Sequence, residues 1–258
     1  DEELLARRAG QLLEVDLEHI EKYLMDLSME RKVILKEADG VKRVYPSNYY
    51  YMEMNTAKML HDLNVTYDVS ETGVLHRLAQ IEENMDLPLD EKQREAVVEA
   101  VRHGVLVLTG GPGTGKTTTL VEAVYETLHR ENQVMVSAQS NTAVDWIAEK
   151  LVDRGIPVLR IGNPTRVNDK MLAFTYERRF EAHSDYPELW QIRKTIREMT
   201  GRLRKSGRED RERLHNQLTK LRVRATGLEI RIDTELFTEA RVIACTLVGA
   251  ASRVLERK

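Results

Sequence analysis

A chain of 258 residues has room for one large domain or two ordinary ones, and 41% hydrophobic residues suffice for a packed core. Its 31% charged residues come without any apolar run of about 18, which excludes a membrane-spanning helix, and no charged-then-apolar leader opens it. A net charge of −3 hides local patches, while a single cysteine, Cys245, rules out an internal disulfide and a thiolate metal cluster.

In the first 37 residues, Leu17, Ile20, Leu24 and Leu27 recur at helical spacing. The β-prone runs Lys32–Lys36 and Val41–Tyr45 flank Ala38-Asp39-Gly40, which predicts a hairpin. Helix then hairpin outlines a small winged-helix-like module. Further helices are expected at Tyr49–Leu63 and Val74–Glu83, before a linker at Met85–Asp90 that contains Pro88. Asn64-Val65-Thr66 matches a glycosylation acceptor, which reads as chance without a secretory signal.

Asp90 is a suitable N-cap for a helix over Glu91–His103. Val105-Leu106-Val107-Leu108-Thr109 reads as a strand covered on both faces, leading into a glycine loop and a helix over Thr117–Leu128. Strands at Val134–Ala138, Pro157–Ile161 and Val242–Val248 alternate with a helix over Val144–Val152. This order predicts an α/β fold with a parallel sheet and helices on both faces. Cys245 falls in the last of these strands, so a buried thiol is expected, in keeping with a reducing, cytoplasmic setting.

Residues 187–237 interrupt the alternation. Leu189, Ile192, Ile196, Met199 and Leu203 form one apolar stripe, and Leu214, Leu218, Leu221, Ala225, Leu228, Ile232 and Leu236 a second. With Ser206-Gly207 between them, they predict an antiparallel helical hairpin with facing seams. Residues 187–231 carry 13 Lys or Arg against 6 Asp or Glu, which suits a phosphate backbone and equally an ordinary solvated face.

Gly110-Gly111-Pro112-Gly113-Thr114-Gly115-Lys116-Thr117 satisfies the P-loop pattern, in the strand-to-helix context that supports it. A polyphosphate needs many N–H donors at short range, and glycines let successive amides converge while the helix adds its positive end. Lys116 is expected to reach the β- and γ-phosphates, Thr117 to coordinate Mg²⁺ and Thr118 to meet the α-phosphate, so ATP with Mg²⁺ is the expected ligand. Gln93, on the preceding helix, could offer a donor and an acceptor to an adenine edge, although a helical Gln is usually only solvated.

Leu87–Ala96 together with Val105–Thr119 resembles the RecD-like superfamily 1 DNA helicases, as residues 1–84 do less specifically. Ser137-Ala138-Gln139-Ser140-Asn141-Thr142-Ala143-Val144-Asp145, Leu159–Pro164 and Ala244–Ala250 resemble the group of nonsense-mediated-decay and immunoglobulin-mu-binding helicases. Both groups are superfamily 1B, and the likeness changes near the P-loop. The resemblance implies a winged-helix-like module over 1–84 and an incomplete first RecA-like motor domain over 85–258, with a helical insertion at about 165–238. It makes Gln93 the adenine reader, and gives Ser140, Asn141 and Thr246 contacts to the backbone of single-stranded DNA or RNA. Ser140-Asn141 also suits a helix N-cap, which is compatible.

Hydrolysis needs an acidic pair at a strand end, and no apolar run here ends in Asp-Glu. In the family that pair and the arginine finger lie downstream, so this chain, which starts without Met, reads as a fragment that binds nucleotide and hydrolyses it negligibly. A P-loop ATPase or kinase outside the helicases remains open, as does a binding module with a vestigial motor. No membrane partner is expected.

Overall fold

The computed structural model describes residues 1–85, 88–203 and 208–256. The chain divides into two compact units, residues 1–67 with 103–105, and residues 68–102 with 106–258.

In the first unit, α1 (Glu2–Leu13) and α2 (Leu17–Met29) precede a hairpin of β1 (Val33–Ala38) and β2 (Val41–Pro46). Asp1 caps α1, its Oδ1 accepting from Leu4 N at 3.2 Å. Asp39 (φ 55°) and Gly40 (φ 72°) are both left-handed, the conformation a two-residue hairpin turn demands. Ala6, Ile20 and Leu24 form a small core with Ala9 and with Val44 of β2. The helix that follows, α3 (Ser47–Leu63), buries none of its residues.

The second unit begins with α4 (Glu71–Met85) and α5 (Glu91–Arg102). Val74 and Leu78 pack on Leu89, Val97, Val98 and Val101, so α4, grouped by the sequence with the N-terminal module, belongs with the helix after it. Then come α6 (Lys116–Thr127), β3 (Val134–Ala138), α7 (Asn141–Asp153), β4 (Val158–Ile161), α8 (Tyr176–Ala182), α9 (Tyr186–Leu203), α10 (Arg208–Glu239) and β5 (Val242–Thr246). The sheet is parallel in the order β3-β5-β4.

Side-chain alternation splits the sheet between two cores. Val136, Val158, Val242 and Ala244 face Val121 and Val124 of α6 and Val144, Ile147 and Leu151 of α7. Leu159, Ile161, Ile243 and Cys245 join Leu189, Ala225, Leu228, Ile232 and Leu236 from the helical pair. Helices therefore cover both faces, as the strand-helix order predicts.

The helical hairpin forms, and its seams meet as expected. Three ion pairs join α10 to α9 and the residue before it: Arg193–Glu229 at 2.7 Å, Arg224–Glu188 at 2.8 Å and Arg231–Asp185. Part of its positive excess is thus neutralised within the hairpin. The expected Ser206-Gly207 turn lies outside the described residues, as do Asp86 and Leu87 of the linker.

One expectation is corrected. Val105–Thr109 forms no strand, and Val107 is 80% exposed. A continuous apolar run yields a strand only where neighbours supply both ladder partners and cover. Among the described residues, no strand pairs with this segment, so the glycine loop follows an unpaired backbone.

Candidate nucleotide site and sheet edge

The glycine loop turns into α6 through two left-handed residues, Gly113 (φ 77°) and Gly115 (φ 70°). For most L residues that conformation costs about 1–2 kcal/mol. Gly115 is the N-cap of α6 and, as glycine, makes no side-chain capping bond to the first-turn amides. Those amides are oriented outward at the positive end of the helix, the arrangement that suits an anion.

Around this start the predicted residues gather. Lys116 Nζ donates to the carbonyl of Gly110 at 2.6 Å and to that of Gly111. Thr114 Oγ1 donates to Gly111 O at 2.9 Å. Thr117 and Thr118, half-buried, occupy the first turn, and Thr119 closes it with a 3.1 Å bond from Oγ1 to Gly115 O. Gln93 belongs to the same cluster: its Nε2 donates to Thr114 O at 3.1 Å. Its Oε1 accepts from Asp90 N at 3.0 Å while Gln93 N donates to Asp90 Oδ1 at 2.9 Å. This reciprocal pair is a capping box that starts α5 and aims its glutamine at the loop.

Two buried carboxylates fix α6 in place. Glu126, with no exposed side-chain area, accepts from Arg77 of α4 at 2.8 Å, and Glu122 accepts from Arg154 at the end of α7 at 2.7 Å. Each pair holds direction because loss of its arginine would strand a buried carboxylate.

The second cluster lies at the carboxyl edge of the sheet, where open α/β folds bind ligands. Parallel register aligns Ala138 of β3 with Thr246 of β5, and Leu247 N donates to Ala138 O at 3.1 Å. The residues after both strands therefore emerge side by side. Ser140 caps α7, its Oγ accepting from Ala143 N at 3.2 Å. Thr246 Oγ1 accepts from Gly249 N at 2.9 Å, and the following Leu247 and Val248 are exposed. Asn141, half-buried, opens α7, with its Oδ1 accepting from Arg160 Nη2 at 2.9 Å.

Arg160 and Asp145 are the participants that sequence reasoning missed. The guanidinium is wholly buried, with Nε 2.7 Å from Asp145 Oδ1 and Nη1 2.6 Å from Ile161 O. Asp145 Oδ2 accepts in turn from Asn168 N at 2.9 Å. A signal was present: Arg160 is the one charged residue in Val158-Leu159-Arg160-Ile161, and a buried strand carries a cation only when a partner awaits it.

Among the described residues, no three His, Cys, Asp or Glu side chains converge as a metal cluster. Thr117, expected to hold Mg²⁺, has no acidic group beside it in sequence. A magnesium ion here would arrive with the phosphates, for which the nest and Lys116 are suited.

The AAA domain family matches residues 88–258, one span that includes the glycine loop, the sheet and the helical pair. DNA polymerase alpha-associated DNA helicase A of Schizosaccharomyces pombe is 32% identical over 171 residues, covering 65% of this chain and 26% of its own length. DNA-binding protein SMUBP-2 of Mesocricetus auratus is 30% identical over 166 residues, 64% of this chain and 17% of its own. ATP-dependent helicase upf1 of Schizosaccharomyces pombe is 30% identical over 178 residues, 66% of this chain and 18% of its own. The chain thus spans about a quarter or less of the length of these relatives.

Proposed function

We propose, from the premise that this chain belongs to the AAA domain family, that it is the ATP-gripping part of a motor that moves on single-stranded nucleic acid. The segment is of the superfamily 1 helicase type, as the similar helicases indicate. One observation carries the functional reading: a helix start where Gly113 and Gly115 shape an anion nest and Lys116, Thr117, Thr118 and Gln93 stand around it.

In this reading Lys116 exchanges its loop carbonyls for β- and γ-phosphate oxygens. Thr117 offers its hydroxyl to Mg²⁺, Thr118 meets the α-phosphate, and the Gln93 amide reads adenine. Bound magnesium supplies charge neutralisation on the phosphates. Ser140, Asn141 and Thr246 take phosphodiester oxygens of a DNA or RNA strand along the carboxyl edge. Unwinding belongs to the longer protein of which relatives of this kind are examples. The buried Cys245 thiol, 3.3 Å from Ser137 Oγ, is compatible with a reducing cytoplasmic setting.

Turnover needs paired carboxylates at a strand tip. Here β3 leads into Gln139-Ser140, β4 into Gly162-Asn163 and β5 into Leu247-Val248. The 258-residue chain is accordingly expected to bind nucleotide and hydrolyse it negligibly.

A fluorescent ATP analogue with Mg²⁺ tests this. Binding should saturate, Lys116→Ala should weaken it by about tenfold or more, as loss of charge-assisted bonds does, and single-stranded DNA should change the affinity. Folded protein with no saturable binding would sink the whole reading. ATP turnover that Lys116→Ala abolishes would remove only the negligible-hydrolysis part.

A further inference from the structure

Asn141 begins α7 at the sheet edge, and its amide is not free to choose an orientation. Its neighbour across the edge is the Arg160 guanidinium, which has five N–H donors and no acceptor. Only the oxygen of the amide can face such a group, and the 2.9 Å contact is between Arg160 Nη2 and Asn141 Oδ1. The Asn141 Nδ2 donors must then point away from Arg160.

Arg160 is itself immobilised. It is fully buried, bonded to Asp145 Oδ1 and Ile161 O, and Asp145 is tied by its other oxygen to Asn168 N. Gly162 leaves room for the guanidinium, since a β-carbon there would lie 2.9 Å from Arg160 Nη1. The charge of Arg160 is matched by Asp145 at 2.7 Å, so the pair orients Asn141 without making the edge acidic.

We infer that Arg160 is a positioning residue for strand binding, holding the Asn141 amide with its N–H groups outward as donors to a phosphodiester oxygen. A phosphodiester is an acceptor, so an amide turned the other way would present oxygen to oxygen and lose the contact. Arginine is required rather than any cation: Asp145 Oδ1, Ile161 O and Asn141 Oδ1 are met by three different guanidinium nitrogens, a spread that a single ammonium cannot match. The inference deepens the proposed strand contact at Asn141 and rests on it.

A double-mutant cycle on the full chain separates the two. Affinities for a labelled oligothymidylate and for a fluorescent ADP analogue are measured for wild type, Asn141→Ala, Arg160→Lys and the double variant. Asn141→Ala should weaken strand binding by roughly tenfold, the scale of one hydrogen bond to a charged group. Arg160→Lys should cost a comparable factor in the wild-type background and little more in the Asn141→Ala background, with ADP affinity unchanged. An equal loss from Arg160→Lys in both backgrounds, or a parallel loss of ADP affinity, overturns the positioning role. Unchanged strand affinity in Asn141→Ala defeats instead the strand contact itself. Should Arg160→Lys fail to melt cooperatively, Asn141→Asp decides: it keeps an acceptor for Arg160 and turns an oxygen outward. It should then melt no lower than wild type yet bind the strand more weakly than Asn141→Ala. Binding as tight as that of Asn141→Ala overturns the inference.

Discussion

Gln93 and Gly115 leave no room between them: a β-carbon added to Gly115 would fall 2.4 Å from Gln93 Nε2. Gly115 is also left-handed, at φ 70°, and is the N-cap of α6. Gly115→Ala thus meets two obstacles at once, backbone strain of about 1–2 kcal/mol and displacement of the glutamine. Nucleotide affinity should fall by about tenfold or more. The rest of the fold does not depend on this position, so the far-ultraviolet spectrum should stay the same. Alanine binding as tightly as glycine would show that the loop does not use this geometry.

Gln93 has two separable jobs, which predicts a split between its variants. Its Oε1 completes the capping box with Asp90, and its Nε2 serves the loop. Gln93→Glu keeps an acceptor for Asp90 N but loses the donor. Gln93→Ala loses both. The Asp90 cap on the backbone N of residue 93 survives, so losing the reciprocal half of the box should cost less than the roughly 1 kcal/mol of a full cap. Thermal melting should therefore drop for alanine more than for glutamate, while both lose preference for ATP over GTP. Nucleotide preference retained in both variants would remove Gln93 from the base-reading role.

How much of this was legible in the sequence depends on the range of the interactions. Asp39-Gly40 announced the hairpin because a left-handed pair is a local property, settled by two residues. The glycine loop, α6 and the apolar seams of α9 and α10 were readable for the same reason: their pattern lies within one element. The conformation of Val105–Thr109 is not legible in the same way, because a strand is a relation between segments and an apolar run says nothing about whether a neighbour is there to pair. The role of Arg160 is not local, because it comes from Asp145 and Asn141, 15 and 19 residues away, brought beside it only by the β3-α7-β4 crossover.

Arg77 should matter more to stability than its position on a surface helix suggests. Glu126 is fully buried, one of its oxygens is held by Arg77 at 2.8 Å, and its other, Oε1, has no hydrogen-bond partner among the described residues. Arg77→Ala would leave that carboxylate uncompensated. The cost should be about 3 kcal/mol, the lower end for a broken buried pair because the arginine is itself partly exposed. Urea unfolding measures it. Replacing both, as Arg77→Met with Glu126→Leu, should recover much of the loss, since a packed apolar pair carries no desolvation penalty. A single variant as stable as the wild type would show that Glu126 finds another partner or water.

Glu177 sets an acid-side dependence of the opposite sign to that of the paired carboxylates. Burial raises its pKa above the ordinary 4.5, and the Glu181 carboxylate adds to this against an opposing pull from Arg160. Its Oε2 is buried without a hydrogen-bond partner among the described residues. A folded-state pKa above the unfolded one means that the native protein holds the proton more tightly, so this group favours folding as pH falls toward 4.5 and opposes it as pH rises. Asp185 runs the other way: the hydrogen bond from Arg231 lowers its pKa, and its contribution is lost as pH falls. Glu177→Gln removes the first effect and leaves the second. Near neutral pH the variant should melt higher than the wild type, because the amide carries no buried charge. The difference between the two should hold above the raised pKa of Glu177 and shrink as pH falls from there toward 4.5. Melting curves across that range decide the matter: a constant difference would mean that the Glu177 carboxylate is solvated and never felt its burial.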